Sequence, residues 1–259
     1  MAEGATHVDN FANIRKIAFT LAEVLITLGI IGVVAAITLP VLINKYRAFV
    51  LENQFKTTYS IISQAVERTK YESGVPSLWE HYAVYDKDNG GYYMTNEFKE
   101  LFYKNIKTVQ KTHKDVLPKY KTYDGSQYYG SSDSSLYSAN AKPEKVLANG
   151  AMIRITIATG FGERYISFGV DTNGLKGPNR MGYDYFSFRI ISADDKITGK
   201  KMTKLYTEEE LEGKNNQGIL GDPCSKKSKQ VSNGTGCTGF AIMNVCPDDE
   251  TKKYFECLY

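Results

Sequence analysis

The sequence predicts an α+β fold, with one long amino-terminal helix packed on a mostly antiparallel sheet. Three observations carry this. Phe19 to Ile43, FTLAEVLITLGIIGVVAAITLPVLI, is an apolar run interrupted by a single charge, Glu23. Beyond Pro40 the pattern turns amphipathic: Tyr46, Phe49 or Val50, Phe55, Tyr59, Ile62, Ala65 and Val66 recur at steps of three and four, with Lys45, Arg47, Glu52, Lys56, Glu67 and Arg68 between them. Later in the chain, apolar residues alternate with polar ones around residues 153–157, 166–170 and 186–190, the period of a strand with one buried face.

The apolar run has the length that a helix of about 20 residues needs to cross a hydrocarbon core of about 30 Å. Arg15 and Lys16 precede it and the bulk of the chain follows, so the positive-inside tendency leaves the amino end cytoplasmic and exports the rest. Glu23 is the anomaly, because a carboxylate inside an apolar helix costs about 2.5 to 3.5 kcal/mol on insertion scales unless it finds a partner.

These residues carry a resemblance. Ala18-Phe19-Thr20-Leu21-Ala22-Glu23, then an aliphatic stretch, then Pro40, resembles the amino-terminal signal of type IV pilins and type II secretion pseudopilins. Counted from Phe19, Glu23 is the fifth residue and Pro40 the twenty-second, as in that family, although Ala18 stands where the family usually has Gly. The resemblance implies that a prepilin peptidase cuts between Ala18 and Phe19 and methylates the new amine. Glu23 would then pair with the Phe19 amine of a neighbouring subunit in a filament. The implied division is a leader over 1–18, a transmembrane part of the helix over 19–43, its amphipathic continuation over 44–72, and an exported pilin-like domain over 73–259. The implied setting is a bacterial inner membrane, with other pilin or pseudopilin subunits and an inner-membrane assembly platform as partners and a periplasmic or surface filament as product.

Elements follow in order. One helix is expected from Phe19 to about Lys70, kinked at Pro40 and weakened at Gly29 and Gly32, then ended by Ser73, Gly74 and Pro76. The two glycines also permit close helix packing in a membrane. A second helix is expected over Thr95 to Val109, capped by Thr95, with Phe98, Leu101, Phe102 and Ile106 on one face. Tyr120 to Pro143, rich in Tyr, Ser, Gly and Asn, reads as a long surface loop. Ile153, Ile155 and Ile157 form a strand, Gly160-Phe161-Gly162 turns the chain into Ile166, Phe168 and Val170, and Phe186, Phe188 and Ile190 give a third strand. Phe240 to Val245 is expected as a fourth.

Cys224, Cys237, Cys246 and Cys257 all fall in the last 36 residues, without the Cys-x-x-Cys pairs of a zinc site, and read as two disulfides in an exported domain. If Thr238 to Val245 is a strand it separates Cys237 from Cys246 by roughly 30 Å, too far for a bond. Two connectivities stay open.

Between the second and third strands, Asp171, Asn173 and Asp184 cluster oxygens among glycines. Calcium takes six to eight oxygens at about 2.3 to 2.6 Å, so these three are the candidate ligands. The EF-hand spacing is absent, and turn formation is the plainer reading. Some secretion pseudopilins bind calcium in a loop of this region, and this alone tilts the expectation from pilus subunit toward pseudopilin. Asn233-Gly234-Thr235 fits a glycosylation acceptor, with a turn preferred.

The net charge of +3 is small and argues for no particular partner. Seven lysines between Lys99 and Lys121, against Glu100 and Asp115, could meet DNA phosphates, which would make the chain a DNA-binding minor pilin of a competence machine. With no base-reading motif beside them, a solvated face is expected and nucleic acid is not. His7 lies in the leader, His81 and His113 sit in no ligand spacing, and no phosphate loop or nucleophile motif is present, so an enzyme is not expected. A further alternative is an unprocessed, membrane-anchored surface protein.

Overall fold

A computed structural model describes residues 20–88, 91–109, 119–128, 144–160, 163–191, 197–198 and 223–259. The chain divides into two units, Met1–Asn44 and Lys45–Tyr259. Helix α1 (Leu21–Ser73) begins in the first and continues in the second. In the first unit its apolar side chains are exposed, among them Leu25, Ile30, Ile37 and Leu42. An 18-residue window there has a mean hydropathy of 2.6 with none of it buried, so the helix is long and apolar enough to span a membrane. Pro40 does not end it.

In the second unit, α1 buries Phe55, Ile62, Ala65 and Val66 of the predicted stripe and ends where predicted. At the start of the stripe Tyr46 and Phe49 are exposed and Ala48 and Leu51 are buried in their place, so the buried face there is set by what the domain covers and not by the bulkiest side chains. Gly74 takes φ +66 and donates its N–H back to the Lys70 carbonyl, a left-handed residue closing the last turn. Ser77 caps the short α2 (Leu78–Tyr82), its hydroxyl accepting from Glu80 N–H at 3.3 Å. A hairpin of β1 (Ala83–Asp86) and β2 (Gly91–Met94) follows.

Helix α3 (Asn96–Lys104) is capped by Thr95 as expected and buries Phe98 and Phe102. It stops short of the predicted Val109. Asn105 closes it, and the Lys107 carbonyl takes the Ala148 N–H at 2.9 Å, so the end of the predicted helix is recruited into the sheet as β3 (Thr108–Val109).

The main sheet is antiparallel throughout, in the order β3, β4 (Lys145–Leu147), β5 (Met152–Gly160), β6 (Glu163–Asp171), β7 (Tyr185–Ile191), β8 (Ile197–Thr198). In register, Ile155 faces Phe168 and Phe168 faces Phe188. One sheet face is thus the row of isoleucines and phenylalanines predicted from the alternation. Its partner is α1: the Phe55 ring lies 4.6 Å from Phe186, 5.6 Å from Phe188 and 5.6 Å from Phe255, centroid to centroid. Such pairs each contribute about 0.5 to 1.5 kcal/mol beyond the area they bury.

Two expectations are corrected. Alternation led to a solvated second face, yet Ser167, Ser187 and Arg189 are buried on it, and the Ser167 and Ser187 hydroxyls lie 3.0 Å apart. The expected fourth strand is a helix, α4 (Cys237–Met243), ended by Asn244 in the left-handed region. A short apolar run has no period by which strand and helix can be told apart. Here Thr238 settles the matter, its hydroxyl accepting the Ser187 N–H at 2.9 Å and tying α4 to β7. A 3-10 turn (Phe255–Cys257) completes the fold and presents Phe255 to Phe55.

Candidate functional site

Ala18 and Phe19, the expected processing residues, lie outside the described residues. Thr20 and Glu23 are described, and they form a capping box. The Glu23 carboxylate accepts from the Thr20 N–H and the Thr20 hydroxyl, both at 2.8 Å, while the Glu23 N–H donates to the Thr20 hydroxyl at 3.2 Å. Thr20 is therefore the N-cap of α1 and Glu23 its third residue, each meeting a donor that the first turn of a helix leaves unsatisfied. The positive end of the helix dipole adds to this. The pattern Thr-x-x-Glu stands in the sequence at Thr20-Leu21-Ala22-Glu23 and is the signal that marks this cap. Glu23 remains exposed, so its carboxylate is also open to a group from another chain. Among the described residues nothing lies within 4 Å of where a Cβ would stand on Gly29 or Gly32, which leaves bare helix backbone on that side.

The structure does bring together Asp171, Asn173 and Asp184, which flank the loop from β6 to β7. Asp171 accepts from the Tyr120 hydroxyl at 2.7 Å and from Asn173 N–H at 3.1 Å. Asp184 accepts from Asn179 N–H and Arg180 N–H, both at 2.7 Å, and more distantly from the Asn173 amide at 3.4 Å. The set does not fit calcium. All four carboxylate oxygens of the pair already accept N–H or O–H bonds, and among the described residues no three acidic, His or Cys side chains gather. The loop is a turn organised around two hydrogen-bonded carboxylates, the alternative that the glycines and Asn173 suggested. Tyr120 was not foreseen: nothing local links it to an aspartate so far along the chain.

Both aspartates are almost fully buried. Burial raises the pKa of Asp171 well above the usual carboxylate range, and the charge of Asp184 raises it further. Asp184 is pushed up to about 6, burial outweighing the backbone N–H bonds that oppose it. The folded pair therefore holds protons that the unfolded chain releases near pH 4, and its contribution to stability is present at low pH and lost as pH rises through about 6. The urea midpoint of the full chain in micelles is expected to rise between pH 7 and pH 5, and Asp171→Asn is expected to flatten that rise. A midpoint that falls over the same interval would show that the pair is not protonated in the fold.

The four cysteines pair as Cys224–Cys237 and Cys246–Cys257, with Cα separations of 5.0 and 6.1 Å, which selects one of the two open connectivities. Cys237 and Cys246 stay apart, as expected, but across a helix rather than a strand. Asn233 is fully buried and its amide donates to the Ser225 and Ser228 carbonyls at 2.8 and 2.7 Å, which makes it a turn former and no glycan acceptor.

Of the basic run, Lys99 pairs with Glu144 at 2.6 Å and Lys104 with Glu72 at 3.3 Å, while residues 110–118 lie outside the described residues. Glu144 also accepts from Tyr103 at 2.8 Å, so Lys99 serves to fasten α3 to β4.

No curated protein and no solved structure matches the chain. One family does match, over residues 41–245, a span that takes in the amphipathic part of α1 and the whole sheet. The chain belongs to that family, DUF6613, described as a family of unknown function.

Proposed function

We propose that this chain is a structural subunit of a pilin-class filament, held in the membrane by α1 until a prepilin peptidase has removed its leader and methylated Phe19 and an inner-membrane platform has assembled it. The observation that carries the reading is Glu23 at the first turn of an exposed apolar helix that runs on, past Pro40, into the core of an α+β domain. In an apolar surrounding the single charge of the run from Phe19 to Ile43 calls for a cation, and the freed amine of Phe19 on a neighbouring subunit would supply one. The work of such a subunit is packing: apolar helices inside, sheet domains outside.

The capping box favours a second reading, an anchored surface protein in which Glu23 only starts the helix. One substitution separates the two. Gln fills the third position of a capping box as Glu does but carries no charge. On the filament reading, Glu23→Gln and Glu23→Ala both abolish assembly while the domain stays folded. On the anchor reading, Glu23→Gln behaves as the parent chain. Electron microscopy of sheared filaments and intact mass of the membrane-extracted protein read this out. A mature chain beginning at methylated Phe19, with filaments lost in Glu23→Gln, is the expected result; a chain retaining Met1 to Ala18 would overturn the proposal.

A further inference from the structure

We propose that the end of the Lys45–Tyr259 unit nearest the apolar run docks on the phospholipid headgroup layer, through Tyr46 and Phe49 of α1 and through Leu175 at the tip of the β6–β7 loop. The proposal rests on α1 as a membrane span, which the filament and anchor readings share.

The exposed side chains of α1 change character with position. Up to Ile43 the large apolar ones are all aliphatic. Tyr46 and Phe49, three residues apart and so on one side of the helix, are then 67% and 62% exposed, with Lys45 and Arg47 exposed beside them. Over the next turns the exposed positions are Asn53, Lys56, Thr57 and Ser60, all polar. Two exposed rings alone would be ordinary. Aliphatic, then aromatic and cationic, then polar is the order in which a helix leaves a bilayer, with rings and long cationic side chains at headgroup level.

Chain length limits how far these rings can stand from the lipid. Tyr46 follows Ile43 by three residues, at most about 11 Å of chain however the junction bends and about 4.5 Å along a helix axis. The headgroup layer on each side of the hydrocarbon core is itself about 5 to 8 Å deep. Once α1 spans, Tyr46 lies in that layer or against it.

The second contact comes from the domain. Tyr46, Arg47 and Val50 share the lining of one cleft with Lys176, Gly177 and Pro178, so the loop tip stands beside the first turn of α1 in this unit. Leu175 at that tip is 42% exposed. Asp171 and Asp184 lie beneath it, buried and with their oxygens bonded within the fold, so the tip presents Leu175, Lys176 and Pro178 and no carboxylate. Apolar side chains flanked by exposed cations match a layer of phosphate headgroups over hydrocarbon. One contact on the helix and another on a distant loop would fix the tilt of the domain on the membrane.

The test uses the full chain in vesicles of phosphatidylethanolamine and phosphatidylglycerol, with bromine carried high on the acyl chains as a contact quencher. Trp79, the one tryptophan of the sequence, is 8% exposed and supplies a constant background. Leu175→Trp and Tyr46→Trp are each expected to lose about half of the added emission or more, because an interfacial side chain sits about 5 to 10 Å into the boundary of headgroups and acyl chains. Tyr71→Trp is the control: Tyr71 is 88% exposed and stands about 37 Å beyond Tyr46 along α1, so it should lose none. Ile31→Trp reports the span itself. Quenching at Ile31 without quenching at Leu175, in a chain whose circular dichroism matches the parent, overturns the docking and leaves the span in place. Tyr71 quenched as strongly as Leu175 overturns it too, since no particular end of the domain would then face the lipid. No quenching at Ile31 overturns span and docking together. Unquenched Leu175→Trp emission that shifts to the blue as the protein-to-lipid ratio rises gives the patch to a second copy of the chain, and also overturns the proposal. None of these results decides between filament and anchor, which is read from the mature amino terminus and from Glu23→Gln.

Discussion

Phe55→Ala is expected to destabilise the Lys45–Tyr259 unit more than any other single truncation on α1, by about 3 to 5 kcal/mol. Phe55 is 2% exposed, and its ring meets Phe186 and Phe188 of β7, Phe255 of the 3-10 turn and Tyr59 one turn along its own helix. Removing it opens a cavity where helix, sheet and chain end converge, in a closely packed aromatic cluster that cannot easily collapse into the space. A loss of that size is a large share of the about 5 to 15 kcal/mol by which domains are usually stable. Urea unfolding of the full chain in micelles, followed by near-ultraviolet circular dichroism, measures it. Phe49→Ala is the control, because Phe49 is 62% exposed and its loss should shift stability by no more than about 0.5 kcal/mol. Equal midpoints for the two variants would mean that α1 does not pack on the sheet through Phe55.

The second large effect is expected from the disulfides. Cys224–Cys237 closes a segment of sequence separation 13 and Cys246–Cys257 one of separation 11, and loops of this length give about 3 kcal/mol each on the chain-entropy account. Their positions decide what is lost. Cys237 opens α4, so replacing Cys224 and Cys237 by Ala loosens the helix whose Thr238 holds β7. Cys257 closes the 3-10 turn that carries Phe255, so replacing Cys246 and Cys257 by Ala is expected to couple to Phe55→Ala. In a double-mutant cycle the two costs should sum to more than the combined variant shows, because both disturb one aromatic cluster. Peptide mapping of the oxidised chain checks the premise: fragments joining Cys224 to Cys246 would refute the pairing, and with it both expected losses.

The tyrosines and the basic run show how far composition can mislead about role. The sequence holds nineteen tyrosines, yet the buried sheet face is built chiefly of isoleucine and phenylalanine. Several tyrosines instead place hydroxyls on distant backbone or carboxylate groups: Tyr183 on the Leu258 carbonyl at 2.6 Å, Tyr254 on the Gly182 carbonyl at 2.6 Å, Tyr120 on Asp171. Lys99 and Lys104, which in a list of charges look like an electrostatic surface, are bound to Glu144 and Glu72. Charge in sequence counts neighbours along the chain, and charge in a fold is set by neighbours across it.

Local chemistry by itself determined a good deal. The step of three and four residues determined α1 and its buried stripe from Phe55 to Val66, and Gly74 determined where it stops. Strict alternation determined β5, β6 and β7 and which of their faces meets the helix. Thr20 and Glu23 determined the start of α1 through bonds spanning a single turn. Only the tertiary structure decided that residues 237–243 coil into a helix, that Cys224 takes Cys237, and that Asp171 and Asp184 share one buried loop. Periodicity records which side of an element is apolar, and that depends on residues a few places apart. Pairings between elements depend on where the whole chain brings surfaces together, and no run of adjacent residues encodes that.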